Sequence, residues 1–274
     1  MNRLLDTFWH RTLKQSYRLS VAVDEGSGQP VVLIHGLGSS SAIWEHVVTL
    51  LPQSSFRIIA VDLLGFGASP KPEWPAYNVD DHAKALIASL DRLHLSSPPI
   101  LVGHSMGCLV AVRIARLRPD LAGHLILYEM PLYDGLPERR VYRLRLNAYR
   151  ALYKRIATYE PVFSPTGAPL VQRIGLLIAG FELTEQTWLP FKRSLENTIM
   201  TQTASQDIKH IAVSMDVIYG RRDILVIRGK PRKIFGEDNA AHIKSYTVNA
   251  NHSIPKSAGK FIVSRISEAP MARS

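Results

Sequence analysis

The sequence comprises 274 residues, of which 46% are hydrophobic, 8% aromatic and 20% charged. This length and composition suit a folded protein with a large buried core and exclude a disordered chain. A single cysteine, Cys108, excludes an internal disulfide and a cysteine-based metal cluster, and no apolar run reaches the roughly 18 residues of a transmembrane helix.

The chain is basic, because 33 lysine and arginine residues against 23 aspartates and glutamates give a formal net charge of +10. Such a charge permits binding to nucleic acid or to anionic lipid. The basic residues are spread along the chain and accompany no nucleic-acid-binding motif, so we predict no nucleic-acid partner. The first twenty residues lack the features of an export signal, which favours a cytoplasmic protein.

Residues 1–20 have the pattern of a short amphipathic helix with a net positive charge. Its apolar face consists of Leu4, Leu5, Phe8, Trp9 and Leu13. We interpret residues 1–16 as an N-terminal extension whose apolar face packs on the domain. Contact of residues 1–20 with a membrane surface is the less favoured alternative.

Short apolar runs alternate with helical patterns through most of the chain. In chain order we predict strands at residues 30–34 and 57–61, a helix at 79–93, a strand at 100–102, a helix at 106–118, and strands at 125–128, 217–219 and 245–248. This alternation predicts an α/β fold in which helices cover both faces of a mostly parallel sheet. Ligands of such folds bind at the carboxyl ends of the strands.

The strand pattern stops between residues 131 and 203, where the sequence predicts several helices punctuated by prolines. We interpret residues 131–203 as an inserted helical cap. The core then consists of residues 1–130 and 204–274, and the cap lies over the carboxyl ends of the strands.

A candidate nucleophile lies between a predicted strand and a predicted helix. The sequence Gly103-His104-Ser105-Met106-Gly107 matches the G-x-S-x-G pattern, in which a sharp turn presents the serine hydroxyl. The N-terminus of the following helix adds free N–H groups and a positive partial charge. Ser105 is therefore the predicted nucleophile.

A serine nucleophile of this kind is followed along the chain by an acid and then by a histidine. His252 comes just after the last predicted strand, whereas His242 precedes that strand and belongs to the opposite edge of the sheet. Asp223 follows the preceding strand and is the predicted acid, which would fix the imidazole tautomer. Glu129 also stands at the end of a strand and is the alternative acid.

An oxyanion hole is predicted where His35-Gly36-Leu37-Gly38 follows the strand at residues 30–34. Glycines at this point let the backbone approach a reacting carbonyl group. The expected donors are the backbone N–H groups of Leu37 and Met106. We interpret the side chains of His35 and His104 as internal hydrogen-bonding groups rather than as catalysts.

The candidate substrate pocket combines residues of the core and of the cap. Its predicted lining residues are Gly36, Gly38, His104, Phe181 and Trp188. The aromatic residues of the cap indicate an apolar underside and a largely hydrophobic pocket. A basic helix at residues 138–158 is interpreted as a solvated outer face, with recognition of an anionic substrate as the alternative.

These motifs together resemble the α/β-hydrolase superfamily, in its capped branch of esterases and carbon–carbon hydrolases with a serine nucleophile. The similarity covers residues 17–130 and about 204–265. Its four elements, in order, are His35-Gly36-Leu37-Gly38, the D-x-x-G-x-G-x-S turn at residues 62–69, the pentapeptide around Ser105, and the loops of Asp223 and His252. The resemblance implies a loop-shaping role for the turn at residues 62–69. Ser105 separates the chain from the haloalkane dehalogenases and epoxide hydrolases of this fold, which use aspartate there.

The motifs and the resemblance predict a serine hydrolase that cleaves small to medium carboxylic esters, with water as the second reactant. This chemistry requires neither a metal nor an organic cofactor. One alternative is a carbon–carbon hydrolase of the ring-fission type, whose anionic substrate would suit basic cap residues. The other is a slow, receptor-like member of the fold that binds a small ligand.

Overall fold

The computed structural model of the chain describes residues 8–13, 15–132, 144, 147–148, 151, 154, 182–223, 225–226 and 242–270. Its strands are β1 (Val21–Gly26), β2 (Gln29–Ile34), β3 (Phe56–Val61), β4 (Ile100–His104), β5 (His124–Tyr128), β6 (Met215–Gly220) and β7 (Ile243–Val248). Its α-helices are α1 (Glu45–Leu50), α2 (Val79–Leu90), α3 (Met106–Leu117), α4 (Glu185–Ser194), α5 (Ala204–Ile208) and α6 (Lys256–Glu268). Shorter 3₁₀ turns span Ser41–Trp44, Asp91–Leu93 and Pro119–Leu121, and π-helical turns span Phe8–Thr12 and Leu195–Met200.

The strands form one sheet in the order β1-β3-β2-β4-β5-β6-β7. Strand β1 pairs antiparallel with β3, and every other described pair is parallel. The prediction of a mostly parallel α/β sheet is confirmed, with a strand at each of the six expected places. Strand β1 was not predicted, because its sequence, VAVDEG, forms a largely exposed edge and lacks a continuous apolar run.

Helices cover both faces of the sheet, as predicted. Along β2, Val32 and Ile34 point into the core that α2 and α3 share, whereas Val31 and Leu33 point into the core that α1 and α6 share. The strand is buried on both faces, which explains why it is a continuous apolar run rather than an alternating one.

Helix α2 begins at a capping box. The side chain of Asn78 accepts a hydrogen bond from the N–H of Asp81 at 2.9 Å, and the Asp81 carboxylate accepts one from the N–H of Asn78 at 3.3 Å. The predicted helix at residues 79–93 ends as an α-helix at Leu90 and continues as a 3₁₀ turn. His94 then adopts a left-handed conformation and stops it.

Within the predicted cap, the described residues are helical or irregular. They include α4 and the π-helical turn that follows it, together with single helical positions at residues 144, 147, 148, 151 and 154. The remainder of the predicted basic helix at residues 138–158 lies outside the described residues. The division into core and cap stays a prediction.

Helix α4 and the π-helical turn after it are hydrogen-bonded to the loop that follows β3. Arg193 donates to the carbonyl of Pro75 at 2.8 Å, and Thr198 donates to the carbonyl of Tyr77 at 2.8 Å. His82 of α2 and Ser194 are hydrogen-bonded at 3.0 Å in the interior. These contacts hold the second half of the predicted cap against the core.

The first described turn, Phe8–Thr12, contains no buried residue. The expected packing of its apolar face on the domain is therefore wrong for the described residues. Tyr17 and Leu19, further along the extended segment, supply the buried contacts instead. No helix in the described ranges is both long enough and apolar enough to span a bilayer.

Candidate active site

Ser105 occupies the turn between β4 and α3 with φ of 52°, a conformation that few residues other than glycine adopt. Two glycines permit the close packing of this turn. A Cβ atom on Gly103 would lie 2.7 Å from the Cα of Cys108, and one on Gly107 would lie 2.6 Å from the carbonyl oxygen of His35. The turn is anchored by the N–H of Ser105, which donates to the carbonyl of Tyr128 at 2.9 Å.

Three polar side chains distant in sequence meet at the carboxyl edge of the sheet. The Oγ of Ser105 lies 3.0 Å from the Nε2 of His252, and the Nδ1 of His252 lies 2.7 Å from Oδ2 of Asp223. All three residues are buried, with exposed fractions between 5% and 8%. The arrangement matches a nucleophile, a general base and an orienting acid.

The second oxygen of Asp223 is held by the backbone. Oδ1 accepts hydrogen bonds from the N–H groups of Leu225 at 2.6 Å and Val226 at 3.3 Å. Burial raises the pKa of Asp223, but the hydrogen bond and charge of His252 outweigh it, assisted by hydrogen bonds from Glu129 and Leu225. The pKa of Asp223 is therefore held below its usual value, and the carboxylate stays charged beside the imidazole.

Glu129, the alternative acid, lies directly behind this pair. It follows β5 with φ of 54° and is completely buried. Its carboxyl group accepts a hydrogen bond from the N–H of Gly220 and hydrogen bonds to Asp223. The structure thus gives the direct contact with the imidazole to Asp223 and places Glu129 one carboxyl group further away.

Glu129, Asp223 and His252 each offer a potential metal ligand, and these atoms lie within 4.8 Å of one another. Their geometry is that of a hydrogen-bonded relay. Both ring nitrogens of His252 already contact Asp223 and Ser105, whereas a metal ligand must present a free lone pair. The sequence-based expectation of no metal stays a prediction.

The loop that carries His252 is held by two side chains from neighbouring strands. His104 donates from Nε2 to the carbonyl of His252 at 2.8 Å, and the hydroxyl of Tyr128 donates to the carbonyl of Ser253 at 2.8 Å. Burial lowers the pKa of His104 to about 3, which keeps its ring neutral. His104 was also a predicted pocket residue, and the structure places its ring beneath the His252 loop.

The segment that carries the predicted oxyanion donor is fixed by His35. The Nδ1 of His35 donates to the carbonyl of Gly36 at 2.7 Å, and its Nε2 accepts from the N–H of Leu63 at 2.9 Å. Burial lowers the pKa of His35 to about 4, so the neutral ring that can make both bonds is maintained. No acceptor among the described residues takes the N–H of Leu37, and that of Met106 stands at the start of α3, where it has no partner within the helix.

Of the other pocket candidates, Gly36 lies directly against the nucleophile. A Cβ atom on Gly36 would lie 3.0 Å from the Cβ of Ser105, which is tighter than most real Cβ contacts, so glycine favours this close approach of the backbone to the nucleophile. Gly38 accepts a hydrogen bond from the N–H of Glu182 at 2.7 Å. Trp188 is half-buried on α4 with its ring stacked on Phe191. Phe181 lies outside the described residues.

The turn at residues 62–69 is built around one carboxylate. Oδ1 of Asp62 accepts from the N–H of Ser41 at 2.8 Å, and Oδ2 accepts from the N–H of Ala68 at 2.8 Å. A Cβ atom on Gly67 would collide with this carboxylate. These contacts agree with a loop-shaping role for the turn.

Comparisons with known proteins agree with this architecture. A family model described as the alpha/beta hydrolase fold matches residues 29–164, a range that includes β2 to β5 and the turn of Ser105. The chain belongs to the α/β-hydrolase superfamily. The acid and histidine loops, which this fold brings to the carboxyl edge, lie beyond the matched range.

Two relatives and one solved structure illustrate the breadth of the α/β-hydrolase matches. Residues of this chain are 33% identical over 142 residues to the protein named "Probable lysophospholipase BODYGUARD 4" of Arabidopsis thaliana, a match that covers 50% of this chain. The chain therefore spans about a third of that plant protein, 34% of its length. The 2-hydroxy-6-oxo-2,4-heptadienoate hydrolase of Pseudomonas putida is 28% identical over 74% of this chain and 75% of its own.

The solved structure is a thermophilic esterase from Thermogutta terrifontis. It superposes with a TM-score of 0.65 over 91% of this chain and 92% of its own, at 20% identity. At that identity the likeness is one of α/β-hydrolase fold alone.

Proposed function

We propose that this α/β-hydrolase cleaves small to medium carboxylic esters through an acyl-enzyme intermediate on Ser105. The observation that carries the proposal is the hydrogen-bonded series from Ser105 through His252 to Asp223, with contacts of 3.0 Å and 2.7 Å. A serine hydroxyl is a weak nucleophile unless a positioned base takes its proton as it attacks.

In the acylation step, the Oγ of Ser105 attacks the ester carbonyl carbon while the Nε2 of His252 takes the hydroxyl proton. The carbonyl oxygen becomes negative, and the N–H groups of Leu37 and Met106 stabilise it. As the tetrahedral intermediate collapses, the carbon–oxygen bond to the alcohol breaks. His252 then returns the proton to the leaving alkoxide, and Asp223 stabilises the transient imidazolium.

In the deacylation step, water replaces the departed alcohol. His252 removes one proton from this water as its oxygen attacks the acyl carbon. Collapse of the second tetrahedral intermediate breaks the bond to Ser105 and releases the carboxylic acid. The proton held by His252 returns to the serine oxygen, so the enzyme ends the cycle in its starting state.

The relatives allow a second reaction class. A relative named as a hydrolase of 2-hydroxy-6-oxo-2,4-heptadienoate aligns with three quarters of its own length, 75%, which favours carbon–carbon bond hydrolysis as the alternative. The plant relative named "Probable lysophospholipase BODYGUARD 4" favours ester hydrolysis. Both reactions use the same nucleophile turn, so substrate screening must separate them.

The decisive experiment is labelling with a fluorophosphonate, which reacts with activated serines. We expect labelling of the wild-type protein and none of Ser105→Ala, with turnover of short-chain p-nitrophenyl esters reduced by at least about 10⁴-fold. Ser257→Ala, which changes an exposed serine on α6, is the matched control and should retain labelling and turnover. A wild-type protein that is not labelled would overturn the proposal.

A panel of substrates distinguishes ester hydrolysis from carbon–carbon bond hydrolysis. Purified protein is assayed against esters of increasing acyl length and against a dienoic keto acid produced by ring fission. Faster turnover of esters supports the proposal, and faster cleavage of the keto acid transfers the assignment to the carbon–carbon hydrolases. Tight ligand binding with uniformly slow turnover would instead indicate a receptor-like member of the fold.

A further inference from the structure

Exposed apolar side chains are concentrated at residues 8–13, which comprise the first described turn and the residue after it. The exposed fractions are 53% for Phe8, 54% for Trp9 and 44% for Leu13. Trp74, in the loop after β3, is 38% exposed. Large apolar side chains usually gain most of their stabilisation from burial, so three exposed ones on one short segment indicate a surface that meets an apolar partner.

Contacts of His10 and Tyr17 hold the turn beside the loop of Trp74. The ring of His10 stacks on Tyr17 with a centroid separation of 3.7 Å. The hydroxyl of Tyr17 in turn accepts a hydrogen bond from Nε1 of Trp74 at 2.8 Å. These contacts use His10 and Tyr17 to anchor the segment and leave Phe8 and Trp9 exposed.

The sheet topology places this turn at the same edge as the candidate active site. Strand β1 runs antiparallel to β3 and begins with Val21 opposite Val61, the last residue of β3. The residues before Val21 therefore lie at the carboxyl end of β3. Ser105 follows β4 and His252 follows β7, and both strands run in the same direction as β3.

Basic side chains accompany the aromatic ones. Arg11 and Arg18 are exposed in this segment, and the first twenty residues carry Arg3, Arg11, Lys14 and Arg18 against Asp6. A cleft of about 270 Å³ is lined in part by Arg11, Lys84 and Trp74. Its lining also includes one acidic residue, Asp81. Aromatic and aliphatic side chains flanked by lysine and arginine are typical of segments that insert into the headgroup region of anionic membranes.

We propose that residues 8–13 and Trp74 form a docking surface for an anionic lipid bilayer, which we call the aromatic edge. Phe8, Trp9 and Leu13 enter the headgroup region, and Arg11 and Arg18 pair with lipid phosphates. Docking at this edge brings the active site close to the lipid surface. If the proposed esterase function holds, its substrates then include esters held in that surface, and this last clause alone rests on the proposed function.

The test is sedimentation of the full chain with vesicles. We expect the protein to sediment with vesicles of phosphatidylcholine mixed with phosphatidylglycerol, to remain in solution with phosphatidylcholine alone, and to be released by high salt. Phe8→Ala/Trp9→Ala should weaken binding to the anionic vesicles by at least about tenfold, because two apolar side chains are lost. An unchanged melting temperature establishes that this variant is folded.

Leu117→Ala is the matched control. Leu117 is 40% exposed and is the last residue of α3, whereas Ser105 lies just before the first residue of that helix. This variant should therefore bind like the wild type. The proposal is overturned if the wild type does not sediment with anionic vesicles, if it binds both compositions equally, or if Phe8→Ala/Trp9→Ala binds normally. Ser105→Ala should sediment like the wild type, so failure of the esterase proposal is distinguishable from failure of this one.

Discussion

Two carboxyl groups meet behind His252, and their surroundings separate their roles. Asp223 contacts the imidazole at 2.7 Å and also accepts two backbone N–H groups, which favours its charged form. Glu129 is completely buried and hydrogen bonds to Asp223. Two carboxyl groups in contact cannot both ionise without a large repulsion, so we expect Glu129 to hold the shared proton and to orient Asp223.

This division of roles predicts different effects for two isosteric substitutions. Asp223→Asn should lower kcat for ester hydrolysis by about 10³–10⁴-fold, because the amide favours the wrong tautomer of His252. Glu129→Gln should retain activity within about tenfold, because the amide can accept from Gly220 and donate to Asp223 as the protonated acid does. Steady-state kinetics on one soluble ester provides the measurement.

The reverse order of effects would identify Glu129 as the acid that serves His252. Equal and large losses in both variants would indicate that the two carboxyl groups act as one unit. Melting temperatures of the two variants, measured in parallel, separate a catalytic loss from a folding defect.

At single positions, the sequence was most informative where a residue type and its order along the chain both constrain the chemistry. Ser105, Asp223 and His252 were predicted in this way, and they form a hydrogen-bonded series. The contacts of His104 and Tyr128 with the carbonyls of the His252 loop were not predicted. Their partners are backbone groups more than 120 residues away, and no local pattern reports such a contact.

At the scale of elements, close packing of β4 against α3 depends on glycines, which have no side chain. The turn of Ser105 connects this strand to this helix. The Cα of Cys108, a backbone atom, would lie 2.7 Å from a Cβ atom on Gly103. The helix can retreat only by pulling Ser105 out of reach of His252. Packing of the strand against the helix and presentation of the nucleophile are therefore the same structural requirement.

Gly103→Ala tests this coupling. We expect a loss of about 2 kcal/mol or more in the free energy of unfolding, because overpacking against backbone cannot be relieved by rotating a side chain. Fluorophosphonate labelling should slow even in the fraction that remains folded. Urea unfolding and labelling rates are the measurements, and a variant with wild-type values in both would contradict the proposed packing.

The prediction of elements succeeded where an element is buried on both faces or begins with a strong cap. Strands β2 to β6 are buried almost throughout, α3 is largely buried, and α2 begins at a capping box. Strand β1 lacks such signals, because most of its residues are exposed and its position depends on pairing with β3. The apolar spacing of the N-terminal segment indicated that one face is buried. Such spacing does not show whether that face packs on the protein's own core or on another apolar partner.

At the scale of the whole molecule, buried histidines connect stability to pH. Burial lowers the pKa of His35 to about 4 and those of His82 and His104 to about 3. In the unfolded chain a histidine takes up its proton near a pH of about 6.5. Between about pH 6.5 and about pH 4 the unfolded state thus binds more protons than the folded state, so stability falls as the pH falls.

We predict that the free energy of unfolding decreases by roughly 1 kcal/mol per pH unit for each of these three histidines within that window. Urea titrations from neutral to mildly acidic pH give the slope. His82→Gln preserves a side chain able to bond Ser194 and should reduce the slope by about one histidine's share. A stability that does not change through this window would contradict the buried, neutral state of these rings.

The position of Cys108 has a practical consequence for the chain as a whole. Its thiol is the only one in the sequence, it is completely buried, and burial raises its pKa. Maleimide and iodoacetamide reagents require an accessible thiolate. A cysteine introduced at any exposed site would accordingly be the preferred point of attachment for a fluorophore or spin label, with the native thiol left in place.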